Sequence, residues 1–176
     1  MNFIQTELQG AYIIEVEAMR DERGFFARSW CKEEFEKHGL VAELTQCNIS
    51  FNNKKGTLRG MHYQVAPCEE VKLVRCTAGA IYDVIVDLRP GSSTYKRWTA
   101  IELNAENRRM VYVPQGMAHG FQSLTDNAEV FYQMAADYRP EHSSGVRWDD
   151  PAFAIKWPFA APTICRRDQE FPLLET

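Results

Sequence analysis

The chain predicts an all-β fold of the jelly-roll kind, a sandwich or small barrel with few short helices. Three observations carry that expectation. Short β-rich runs follow one another, separated by clusters of Gly, Pro, Asn and Asp. The run from Ala80 to Leu88 alternates with a period of two. Only one segment carries convincing helix signals, and many strands with few helices pack as sheet on sheet.

The elements follow in chain order. Ala11 to Val16 is the first β-rich run. The helix comes next: Ser29 is placed to cap it, Glu33 and Glu34 fall in its early turns, and His38-Gly39 closes it. Val71 to Cys76, Ala80 to Leu88, Trp98 to Leu103, Met110 to Val113 and Glu129 to Met134 are the remaining predicted strands. Within Ala80 to Leu88, Tyr82, Val84, Val86 and Leu88 point one way, and Ile81, Asp83, Ile85 and Asp87 the other. Acidic groups alternating with apolar ones make that second face partly polar, as the lumen of a ligand-holding barrel would be.

Size and composition narrow the classes. The 176 residues, 45% of them apolar, show no repeat, low-complexity stretch or linker, and are read as one domain spanning residues 1–176. Such a domain buries a sizeable core without disulfides or metals. The five cysteines are scattered with no Cys-x-x-Cys pair, which argues against a disulfide framework or a thiolate zinc site and fits a reducing compartment. No apolar run approaches the ~20 residues of a membrane span. Met1-Asn2-Phe3-Ile4-Gln5 lacks the features of a signal peptide, so a cytoplasmic location is expected, with no membrane partner. A net charge of −4 without a basic run leaves nucleic acid out, while local arginines can still hold a small anion.

Four segments are dense in polar and special residues: DERGFF (residues 21–26), QCNIS (46–50), GTLRGMHYQ (56–64) and VPQGMAHGF (113–121). The glycines beside Arg59 and His62 suggest tight turns or close backbone approach. His62 is the best candidate base, since an imidazole titrates near ~6.5. Lys72, opening the next strand, could stabilise negative charge developing on an oxygen. Tyr132 shares a strand face with Val130 and Met134, and its phenol could return a proton from the other side of a substrate. Taken singly, each of the three is more often structural. A metal site is not expected: His62 is followed by Tyr63 and Gln64, so no His-x-His pair exists, and His119 alone cannot complete one.

At these same segments the sequence resembles the dTDP-4-dehydrorhamnose 3,5-epimerase family. The matching stretches are DERGFF, QCNIS, GTLRGMHYQ, KLVRCTAGAIYDVIVDLRPGSSTYKRW, VYVPQGMAHGFQSL, AEVFYQ and VRWDDPAFAIKWP, running in order from about Asp21 to Pro158. The resemblance implies a cupin-like jelly-roll barrel, a homodimer, and a reaction without metal or other cofactor that inverts C3 and C5 of a nucleotide-linked 4-keto-6-deoxy sugar. By the same resemblance His62 is the base, Asp168 the carboxylate that orients it, Lys72 the cation for the enolate oxygen and Tyr132 the proton donor. Arg23, Phe26, Gln46, Asn48, Arg59 and His119 fall at substrate-binding positions, Tyr138 at one that stacks on the nucleotide base, and Arg167 at one that contacts phosphate.

The chain departs from the family pattern at Arg28 and Ser143, where acidic residues are frequent, and in the tail, where Ser-Glu-Lys-Asp becomes Cys165-Arg166-Arg167-Asp168. Two other readings compete. A metal-dependent cupin isomerase or oxygenase would use His62, His119 and Glu69 or Glu70. A sugar-nucleotide-binding protein without catalysis would need no base and acid on opposite faces.

Overall fold

The computed structural model describes residues 1–174. Two antiparallel sheets face each other. The first runs β1 (Asn2–Gln5), β2 (Tyr12–Glu15), β10 (Met110–Val113), β7 (Lys72–Ala78), β12 (Ala128–Met134), β5 (Gln46–Asn52). The second runs β13 (Ser143–Gly145), β6 (Thr57–Gln64), β11 (Met117–Ser123), β8 (Ala80–Asp87), β9 (Trp98–Asn104), with the short β14 (Thr163–Ile164) lying parallel to β6. A separate hairpin pairs β3 (Met19–Asp21) with β4 (Gly24–Phe26). The helices are α1 (Lys32–Lys37), α2 (Arg166–Gln169) and a single 3₁₀ turn, Pro140–His142. This is the jelly roll the strand pattern predicts. Among the described residues no helix is long and apolar enough to cross a membrane.

Period-two alternation decides what fills the space between the sheets. Val74 and Cys76 of β7, Val111 and Val113 of β10 and Val130 of β12 meet Ile81 and Ile85 of β8, Leu103 of β9, and Met117 and Phe121 of β11. Polar residues share the same inward rows: Lys72 and Tyr132 continue the β7 and β12 rows beyond the apolar residues, while Asp83 falls between Ile81 and Ile85 on β8 and His119 between Met117 and Phe121 on β11. The polar side chains cluster on one side of the apolar packing, and Phe121 borders both. The outer faces are covered too. Phe35 of α1 packs with Ile14, Leu73, Met110 and Tyr112 over the first sheet. The C-terminal stretch, through Val146, Phe153 and Trp157, covers Met61, Val84, Val86 and Ala118 of the second.

Three local expectations need correction. Ser29 does not cap α1: Cys31 holds that position without a side-chain bond, and Glu33 and Glu34 alone supply favourable charge to the first turn. Asp87 shares the inward face with Asp83 but serves the β8–β9 loop. It accepts from Arg89 Nη2 (2.7 Å), Ser92 Oγ (2.6 Å) and Thr94 Oγ1 (2.6 Å). Segments 46–50, 56–64 and 113–121, read as polar clusters with turns, lie largely in strands β5, β6 and β11. The expectation of close backbone approach holds at Gly60, where a Cβ would lie 2.6 Å from Gly120 Cα. That contact lets β6 and β11 run together, with His62 opposite His119 in register.

Candidate active site

The polar end of the lumen opens as a cavity of about 390 Å³, lined among others by Gln46, Asn48, Ser50, Arg59, His62, Glu70, Lys72, His119, Tyr132, Tyr138, Ser143 and Arg167. Residues from sequence positions 46 to 167 meet here because β5, β7 and β12 form one wall and β6 and β11 the other.

His62 stands on the second sheet with its side chain 37% exposed. Its Nε2 lies 2.8 Å from Asp168 Oδ1, and the other carboxylate oxygen of Asp168 accepts the Gly60 amide at 3.0 Å. Burial alone would raise the Asp168 carboxyl. The hydrogen bond and charge of His62 and the Gly60 amide outweigh it and hold the group below the usual range. An ionised, buried carboxylate at Nε2 fixes the imidazole's orientation and leaves Nδ1 as the nitrogen that can act as base, as in other His–Asp pairs. Phe171 packs edge-on against the ring at 5.8 Å between centroids.

Tyr132 stands on the first sheet, across the lumen. Burial raises its phenol well above the ordinary value, against a weaker opposing bond with Ser50 Oγ at 3.2 Å. A phenol held protonated is a proton donor at neutral pH. Lys72, also on the first sheet, reaches across the lumen and donates to the His62 carbonyl at 2.9 Å, while Glu70 Oε1 lies 2.9 Å from its Nζ. The cation therefore sits beside the base and is largely out of water, where its field on a developing oxyanion is strongest.

A second His–Asp pair lies behind the first. His119 Nε2 is 2.8 Å from Asp83 Oδ2, both side chains are buried, and the His119 ring meets Tyr132 edge-on at 6.2 Å. Burial raises the Asp83 carboxyl, with His119 and Lys72 opposing. The alternation of β8 flagged Asp83 as a lumen acid, but its pairing with His119 carried no sequence signal. Each cavity histidine is thus committed to one carboxylate, and among the described residues no three His, Cys, Asp or Glu side chains converge as a metal site.

The remaining expected residues divide. Gln46, Asn48, Arg59, His119, Tyr138 and Arg167 line the cavity with the base, cation and phenol. Arg59 Nε is held by Asn52 Oδ1 at 2.8 Å, and Arg167 Nη2 donates to Ser143 Oγ at 2.7 Å. Arg23 and Phe26 do not join them. Both lie in the exposed β3–β4 hairpin, where Arg23 pairs with Asp21 and the Phe26 side chain is open to solvent. Arg28 is likewise outside the cavity, bound to Glu34 at 2.8 Å. Sequence reasoning overlooked Ser50, which holds the phenol, and Glu70 in its place beside Lys72.

A jelly roll whose lumen sets a carboxylate-backed imidazole opposite a protonated phenol, with an ammonium beside the imidazole, belongs to the class of isomerases that move protons on carbon. The sequence model of the family described as dTDP-4-dehydrorhamnose 3,5-epimerase matches residues 5–176. The Methanothermobacter thermautotrophicus protein of that name is 46% identical over 156 residues, covering 89% of this chain and 83% of the relative. The Bacillus anthracis enzyme of that name, solved with TDP and PPi bound, superposes with a TM-score of 0.95 at 40% identity, over 98% of this chain and 99% of that one. The Legionella pneumophila dTDP-6-deoxy-D-glucose-3,5-epimerase, in complex with dTDP-4-keto-L-rhamnose, gives 0.91 at 37% identity, over 98% and 92%. The chain belongs to the dTDP-4-dehydrorhamnose 3,5-epimerase family.

Proposed function

We propose that this protein epimerises a dTDP-linked 4-keto-6-deoxyhexose at C3 and C5, in a pathway of deoxysugar synthesis. The observation that carries the reading is the placement of base and acid on opposite sheets, with Lys72 beside the base. A proton on carbon next to a ketone is released only if the resulting enolate is stabilised. His62, backed by Asp168, takes the proton from one face, and the electron pair moves into the ketone oxygen. Lys72 holds that oxygen. Tyr132 then delivers a proton to the other face, so the centre is inverted rather than restored. Arg59 and Arg167 suit the diphosphate because a guanidinium bonds two oxygens at once, and Tyr138 suits the base.

We further propose that the enzyme works as a homodimer in the cytoplasm. β5 is an edge strand, and its outward residues Ile49 and Phe51 are 63% and 50% exposed, an open edge that proteins seldom leave bare. Nearby, Arg75 lies over the Phe131 ring with its buried Nε unpaired among the described residues. A second copy over this face would bring a β3–β4 hairpin, with Arg23 and Phe26, toward the neighbouring lumen. The free cysteines fit a reducing compartment.

Incubation with dTDP-4-keto-6-deoxyglucose, followed by NMR of the sugar, tests the activity. Inversion at both carbons is expected. Inversion at one alone would restrict the proposal to a single-centre epimerase, and no change would reject this substrate. Sedimentation should give a dimer that I49D/F51D dissociates, with KM rising as the hairpin leaves. A wild-type monomer would reject the dimer.

A further inference from the structure

We propose that Glu70 is a positioning residue of this site, holding the Lys72 ammonium in the direction from which it meets the enolate oxygen. The inference rests on the epimerase reading above. Glu70 immediately precedes Val71 and β7. Its side chain is only 8% exposed and lies against Lys72, itself 7% exposed, at 2.9 Å, and it lines the same cavity as His62 and Tyr132. Taking two charges out of water is costly, and such pairs are weak evidence for stability. A buried carboxylate at the cation placed beside the base therefore calls for a role in the reaction.

The role follows from donor geometry. An ammonium has three N–H donors on a flexible four-carbon stem. In Lys72 one donates to the His62 carbonyl on the second sheet, and the ammonium is paired by charge with the Glu70 carboxylate, 2.9 Å away at the head of the first. A carbonyl on one wall and a carboxylate on the other hold the ammonium from two sides and restrict the directions open to its remaining donors. Asp83, paired with His119 and fully buried, has an Oδ1 without a partner among the described residues, but no contact ties it to Lys72. If the carboxylate at position 70 is withdrawn, the ammonium is held by the His62 carbonyl alone and its remaining donors are free to turn from the cavity. Glu70 decides which way the cation points.

Its negative charge is not the useful property, since a carboxylate beside the cation weakens the field felt by the enolate. Its reach is. Two conservative variants separate the properties: Glu70→Gln keeps the reach and an acceptor oxygen without the charge, and Glu70→Asp keeps the charge but withdraws it by one methylene. Steady-state kinetics with dTDP-4-keto-6-deoxyglucose, alongside thermal unfolding, reads both. The wild-type conversion is established first by the NMR test above, so the comparison between variants bears on Glu70 alone. Misplacing a reacting group by about 1 Å costs up to roughly a hundredfold. E70D should therefore lose about tenfold or more in kcat with KM within about twofold, while E70Q stays within about threefold of wild type. The proposal is overturned if E70Q loses as much as E70D, if the loss lies in KM, as for a direct substrate contact, or if activity merely tracks the folded fraction.

Discussion

Replacing Tyr132 with Phe should uncouple proton removal from inversion. The substitution removes one oxygen whose hydrogen-bond partner is Ser50 Oγ, at 3.2 Å. A neutral bond of that kind contributes about 1 kcal/mol, and the ring keeps its packing on the core and its edge contact with His119, so the variant folds. His62, Asp168 and Lys72 keep every contact described above, so the enolate still forms. What is lost is the donor on the far face, and general acids contribute typically 10²–10⁴ in rate, or about 3–5 kcal/mol of barrier. His62 exchanges its proton with solvent, its side chain being 37% exposed, and returns a deuteron to the face it came from. In heavy water the variant should therefore incorporate deuterium with retention, while the inverted sugar appears at least about a hundredfold more slowly than with wild type. NMR of the C3 and C5 positions reads both quantities in one sample. Inversion within about tenfold of the wild-type rate would refute the acid role. So would loss of deuterium uptake along with inversion while substrate still binds.

Lys72→Met should behave differently, because without the cation the enolate itself fails. Deuterium uptake and inversion should fall together by about 10²–10³, and uptake at the wild-type rate would count against the oxyanion role. Asp87→Ala should leave Arg89, Ser92 and Thr94 without their shared acceptor. Loss of about 3 kcal/mol, or roughly 6–12 °C in Tm, is expected in a thermal scan, and an unchanged Tm would show the loop to be held otherwise. The folded-state pKa of Asp168 lies below its unfolded value. Its contribution is therefore complete above the ordinary carboxylate pKa of about 4 and is lost as pH falls through the lower folded value. Unfolding midpoints of wild type should drop more steeply than those of Asp168→Asn over that acidic range, and parallel curves would contradict the assignment.

The parts of the fold that pack on apolar side chains were legible, because alternation along β8 and runs such as Met110–Val113 report burial directly. The strands that line the site were not. In β5, β6 and β11 the inward positions carry Asn48, Ser50, His62 and His119, so the apolar half of the alternation is missing where the lumen is polar. The polar density that marked those segments as a site concealed them as strands. Pairing was harder still: Asp168 stands 106 residues from His62, and only family resemblance brought them together. Ser29 misled because a good capping residue two positions early reads the same as one in place. Arg23 and Phe26 stand apart from the cavity of their own chain, a separation that no reading of one sequence could reveal.

The central claim is that His62 removes the proton from carbon. In heavy water with dTDP-4-keto-6-deoxyglucose, wild type should exchange both the C3 and C5 protons, and His62→Asn, which keeps the size of a polar side chain and the rest of the site, should exchange neither while still binding dTDP. Exchange by the variant at the wild-type rate would contradict the account.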